Sequence, residues 1–167
     1  HVLRSVNGSN SGFSPLSNAT LSNYLDVEEG LATWNESDCN LLTLMGLKKK
    51  AALTYAIYIG EKLSFRQLYN SMLAVLPKRS AFNTTYRVKR GLGDTSYPGI
   101  YSKDVVYFRG YRKVKKALEK DKFLYEKLYA GKIDIAQSVW VDEGLIRKAQ
   151  IVPSKEQWDT IFRELGI

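Results

Sequence analysis

A chain of 167 residues with 44% hydrophobic and 12% aromatic content is long enough for one domain with a real core, and argues against disorder beyond the first two dozen residues. The formal charge of +8, from 25 Lys and Arg against 17 Asp and Glu, favours acidic partners, nucleic acid or anionic surfaces without choosing among them. The single cysteine, Cys39, excludes an internal disulfide framework and argues against a thiolate-ligated zinc site; no apolar run reaches the length of a membrane span and no signal peptide is present, so the compartment reads as cytoplasmic.

Val2, Leu3 and Val6 share one side of a short helical segment, which Asn7-Gly8 and the following Ser, Asn and Gly residues are expected to stop. Residues 7–25 read as a Ser- and Asn-rich loop. The first residue is His1, the only histidine, where a native start would carry Met; the chain reads as a piece of something longer.

Asp26 is the expected N-cap of a helix that fades around Asp38 to Asn40. Within it Glu28 and Glu29 are adjacent, so they point about 100° apart around the axis. One can face water while the other turns inward with Leu31 and Ala32. An inward carboxylate is costly unless a cation, a metal or a strong donor meets it.

Residues 47–63 carry apolar residues all round the helix, which predicts a buried central element with Tyr55 and Tyr58 in the core. Ser64 and Gln67 form a capping box that opens a helix running to Leu76, where Pro77 ends it. A short helix over residues 81–90 follows, then a loop with four Gly and Pro breakers from Gly91 to Gly99. Ser102 is placed to cap the next helix, with Tyr107, Tyr111, Val114 and Leu118 on one face and Arg109, Arg112, Lys113, Lys115 and Lys116 on the other. A short helix that follows Asp121 and runs to about Ala130 is expected to turn Phe123, Leu124 and Leu128 inward. The segment 133–145 suits helix and strand alike. A second capping box, Ser154 with Gln157, opens a last helix whose stripe is Trp158, Ile161, Phe162 and Leu165. The fold class is therefore mainly α, one domain over residues 1–167 or the larger part of one.

Self-contained catalytic constellations are missing. A serine or cysteine triad needs an imidazole beside its nucleophile, and the one histidine is terminal. Gly91-Leu92-Gly93 is followed by Asp94 and not by the rest of a dinucleotide fingerprint. A zinc site needs three protein ligands, of which His1 and Glu29 can supply two.

Four stretches recur together in one family: His-Val-Leu-Arg-Ser-Val-Asn-Gly from His1, Glu-Glu-Gly-Leu-Ala from Glu28, Leu-Ser-Phe-Arg-Gln-Leu from Leu63, and Arg-Val-Lys-Arg-Gly-x-x-Asp-Thr-Ser-x-Pro-Gly from Arg87 into Tyr-Ser-Lys-Asp. In this order they resemble the microtubule-associated tyrosine carboxypeptidase family and its bacterial relatives, the QEGLA-motif proteins once labelled flavohemoglobin expression modulators. The resemblance spans residues 1 to about 112. It implies the helical part of a zincin-like, gluzincin-type metallopeptidase domain, starting inside the zinc-binding helix and forming the C-terminal part of a larger catalytic domain. The family's zinc motif is similar to H-E-x-x-x-H followed by x-Leu-Arg, so His1 falls on its second histidine and Glu29 on the third ligand. The first histidine and the general-base glutamate are absent from these residues, so this chain alone is expected to be inactive. Glu28 stands where bacterial members often have Gln.

The implied reaction is removal of a C-terminal residue from a peptide or protein by zinc-activated water. It needs a site for a free carboxylate, for which Arg87, Lys89, Arg90 and Lys103 are chemically suited, and an oxyanion donor, for which Tyr101 and Tyr107 are candidates. Glu28 is then expected at the positive end of its helix and Glu29 on the metal, which requires Glu29 to lie within a few Å of the helix carrying His1. The alternative is a basic helical module that binds nucleic acid or an acidic protein. Against nucleic acid, the aromatic residues fall at core spacing and no stacking platform is present.

Overall fold

A computed structural model describes residues 1–19 and 21–166, with all their side chains except those of Trp158, Ile161, Phe162 and Leu165. Among the described residues the regular elements are all helical. They form two compact units, His1–Leu42 with Gly110–Ile167, and Thr43–Arg109.

The first unit begins with α1 (Val2–Asn10), a 3-10 turn (Ser14–Ser17) and α2 (Tyr24–Asp38). α1 runs on past Gly8, the expected stop. Gly8 sits inside the helix because Leu16 and Ser17 pass so close that any Cβ there would overlap their backbone. The glycine thus permits a close crossing and does not end the helix. α2 starts before Asp26, which lies in its first turn, with Asn23 at the N-cap.

The unit continues with the greater part of α6 (Val105–Lys120), then α7 (Leu124–Leu128), a 3-10 turn (Ile135–Ser138), α8 (Val139–Asp142) and α9 (Lys155–Leu165). The segment that suited helix or strand is thus helical. Val27 and Leu31 of α2 pack with Val114 and Leu118 of α6 and with Leu124, Leu128 and Tyr129. Gly30 and Gly110 face each other at this crossing, and a Cβ on either would overlap the other helix's backbone, against Gly110 or Asp26 respectively. A smaller cluster joins Leu16, Ala130, Ile133, Val141 and Ile146. Phe123, expected inward, is 79% exposed: it is the N-cap of α7, which begins only at Leu124. Ser154 and Gln157 exchange the capping-box hydrogen bonds that open α9, while its expected apolar stripe lies outside the described side chains.

The second unit holds α3 (Leu44–Gly60), α4 (Phe65–Leu73), α5 (Lys78–Lys89) and the first turn of α6. Ser64 and Gln67 close the predicted capping box. α3 buries Ala52, Leu53, Ala56, Ile57 and Gly60 along one stripe against Leu68, Met72, Leu76, Ala81 and Val88. The expectation of all-round burial fails here: Tyr55 and Tyr58 are 51% and 82% exposed. Apolar residues encircle α3, but the neighbouring helices cover only one side of it. No described helix is long and apolar enough to cross a membrane.

Candidate functional site

The acidic pair of α2 meets the start of α1 inside the first unit. His1 is the N-cap of α1 and Arg4 lies one turn further on, so both side chains reach the same neighbour. That neighbour is Glu28. Its Oε1 lies 2.9 Å from His1 Nδ1, and its Oε2 accepts from Arg4 Nη1. Lys132 Nζ stands 3.8 Å from Oε1. Glu29, the next residue on α2, places Oε2 3.8 Å from the other ring nitrogen, His1 Nε2.

The roles expected of the two acids are therefore exchanged in burial. Glu28 is expected at the positive end of its helix, but its side chain is 4% exposed, against 20% for Glu29. The reason lies in Arg4, itself 1% exposed, whose charge offsets the cost of burying the carboxylate. Arg4 is in turn anchored: Nε donates to the carbonyls of Leu128 and Gly131, both at 2.9 Å, and Nη2 donates to the carbonyl of Ile133 at 2.6 Å. Burial lowers the Arg4 guanidinium from its ordinary value while Glu28 opposes the shift. A guanidinium titrates so high that it stays charged at neutral pH. Sequence reasoning named Arg4 only as part of a motif and gave it no role, although its spacing of three from His1 was readable.

The same ring can serve a metal only through Nε2, since Glu28 occupies Nδ1. Two ligands of a tetrahedral zinc at about 2.0–2.2 Å stand roughly 3.3–3.5 Å apart. The 3.8 Å between His1 Nε2 and Glu29 Oε2 is a few tenths longer, within reach of a small side-chain adjustment. Donor chemistry and spacing thus fit two positions of such a site. Among the described residues no group of three or more His, Cys, Asp or Glu is gathered for a metal. A pocket of about 420 Å³ opens beside His1, walled by Leu3, Ala32, Leu41 and Tyr129.

The remaining predicted residues lie in the second unit. Asp104, 3% exposed, accepts from Arg87 Nε and Arg90 Nη2, each at 2.9 Å, so the two arginines are held in a fixed pose by one carboxylate. Arg90 also lies over the Tyr101 ring at 4.2 Å from its centroid, and Arg87 over Tyr107 at 6.0 Å. Lys103 is exposed. Lys89 differs from the expected exposed cation: it is 1% exposed, and its ammonium donates to the carbonyls of Gly60, Leu63 and Gly99. All three of its protons are thereby used, and burial pulls its pKa below the ordinary lysine value. Lys89 ties α5 to the end of α3 and the Gly99 loop, leaving no donor for a substrate. A pocket of about 360 Å³ is lined by Lys49, Lys50, Ser80, Asn83, Thr84, Arg87 and Tyr107. Ser80, Asn83, Thr84 and Arg87 follow the spacing of one helix face, so α5 presents a polar stripe and a cation to the lysines of α3.

The first unit thus gathers an imidazole between two carboxylates, with a buried arginine behind Glu28, on elements that are helical among the described residues. The particular family follows from comparison: the family model for microtubule-associated tyrosine carboxypeptidase matches residues 1–160, and the chain belongs to that family. It is 38% identical over 65 residues to microtubule-associated tyrosine carboxypeptidase 1 of Homo sapiens and to that of Mus musculus, an alignment covering 38% of this chain and 14% of each relative. It is 37% identical over 65 residues to a human protein named putative tyrosine carboxypeptidase MATCAP2, covering 38% of the chain and 12% of that relative. The match thus spans only about one seventh of the first relatives' length. The family model extends beyond residue 112, where the sequence resemblance ended.

Proposed function

We propose that this chain is part of a zinc-dependent, zincin-like carboxypeptidase that removes a C-terminal residue, tyrosine by the family's name, from a peptide or protein. The observation that carries the reading is the approach of Glu29 Oε2 to His1 Nε2 at 3.8 Å, between residues 28 positions apart that the family pattern makes ligands. His1 and Glu29 would hold the ion, with the third ligand and the general base supplied from outside these 167 residues. Zinc in such a site lowers the pKa of a bound water and polarises the scissile carbonyl.

The chain's own contribution to substrate binding falls to the cations of the second unit. Arg87 and Arg90, steadied by Asp104, and the exposed Lys103 are the candidates for the terminal carboxylate. The 360 Å³ pocket gives Arg87 company from Lys49 and Lys50, with neutral donors from Ser80, Asn83 and Thr84, a lining that suits an anionic chain end. Tyr101 and Tyr107 are the candidate donors to the oxyanion.

The test is release of the terminal residue from synthetic peptides by the intact protein. Free tyrosine should accumulate from a peptide ending in tyrosine and fall to background after treatment with a zinc chelator. Undiminished release in the chelator would remove zinc from the account, and no release from any peptide would remove the reaction.

A further inference from the structure

Glu28 has no place in the ligand set, yet it is the most completely enclosed carboxylate beside it. A structural ion pair with Arg4 would need only one of its oxygens, Oε2. The other oxygen, Oε1, is turned to His1 Nδ1 at 2.9 Å. A carboxylate accepts and cannot donate, so this contact puts the ring proton on Nδ1. In the neutral, metal-binding form of the ring the lone pair is then on Nε2, the nitrogen nearest Glu29.

Resting on the metallopeptidase reading, we infer that Glu28 is a positioning residue: it fixes the tautomer and ring plane of His1 so that Nε2 is presented to the ion held with Glu29. The orientation comes from a continuous chain of contacts. The carbonyls of Leu128, Gly131 and Ile133 hold Arg4, Arg4 holds Oε2, and Oε1 holds the imidazole. Lys132, 3.8 Å from Oε1 and lying over the Tyr24 ring, closes the remaining side. The segment 128–133 therefore sets the angle of a ring more than 120 positions away in sequence. Carboxylates behind a metal-bound histidine raise its basicity and restrict its rotation, and their loss typically weakens metal binding about 10- to 100-fold.

Zinc affinity of the intact protein, measured by competition with a chromophoric chelator, separates this role from a purely structural one. Glu28→Ala should weaken zinc about 10- to 100-fold, and Glu28→Gln, whose amide oxygen still accepts from Nδ1–H, should recover most of that loss. Equal affinity in wild type and Glu28→Ala would overturn the positioning role while leaving the metal site intact. A wild type that takes up no zinc would overturn the metallopeptidase reading itself, and the role of Glu28 with it. Should Glu28→Ala fail to fold, the ¹⁵N shifts of the His1 ring in the wild-type protein decide the matter. In the zinc-loaded protein a protonated Nδ1 and a metal-bound Nε2 are expected, and zinc on Nδ1 would overturn the inference.

Discussion

Arg4 and Glu28 form an ion pair with side chains only 2% and 4% exposed, joining the first turn of α1 to the first unit's acidic pair. The pair stands behind His1, so the same contact stabilises the fold and places the imidazole.

Replacing Arg4 by Met should be severe. The carboxylate would lose its main partner, and the carbonyls of Leu128, Gly131 and Ile133 would lose their donor. Breaking one side of a buried pair costs roughly 3–5 kcal/mol. Denaturant unfolding should show that loss, and Arg4→Met combined with Glu28→Leu should be less destabilised than Arg4→Met alone.

The crossing of α2 and α6 depends on two residues lacking a Cβ. Gly110→Ala would drive its methyl into the backbone of Asp26, and Gly30→Ala into that of Gly110. Because backbone cannot step aside like a flexible side chain, each change should cost about 1–3 kcal/mol or more in thermal unfolding, overriding the higher helix propensity of Ala. A stabilised Gly110→Ala variant would show that the helices do not pack this closely.

Lys89 makes a pH-dependent contribution whose sign can be worked out. Its pKa is lowered in the folded protein by burial, so between that value and the ordinary lysine value near 10.5 the unfolded chain binds more protons. Unfolding takes up a proton in that window, and raising the pH through it increases the contribution of this group to stability. The Lys89→Met variant should therefore lose the part of the stability slope in that alkaline window that Lys89 supplies. It should also be destabilised by roughly 2–4 kcal/mol, because three carbonyls lose their donors. Equal stability and an identical pH slope in wild type and variant would contradict the assignment.

Asp104→Asn would release Arg87 and Arg90 from their shared acceptor. If those guanidinium groups hold the substrate's terminal carboxylate, KM for peptide should rise several-fold while zinc content stays unchanged. A normal KM would place substrate recognition elsewhere.

The sequence made the helical frame legible where local chemistry decides it. Ser64 with Gln67 and Ser154 with Gln157 declare helix starts through hydrogen bonds only a few residues long. Spacing and resemblance also made the proximity of His1 and Glu29 an expectation. What stayed hidden depends on contacts distant in sequence. Gly8 looks like a stop until Leu16 is seen crossing it. Tyr55 and Tyr58 look like core because a pattern cannot say how many sides of α3 are covered. Glu28 reads as an acid at the positive end of its helix because Arg4, its partner on α1, is held in place by carbonyls more than 120 residues further along. Lys89 was grouped with substrate-binding cations for the same reason: nothing local announces three carbonyls converging on its ammonium.

The most direct test of the metal site is zinc content in the intact protein beside Glu29→Gln, measured by elemental analysis after gel filtration. One zinc per chain in the wild type and its loss in the variant is the result expected from the approach of Glu29 to His1. Zinc retained at full occupancy in Glu29→Gln, or absent from the wild type, would contradict it.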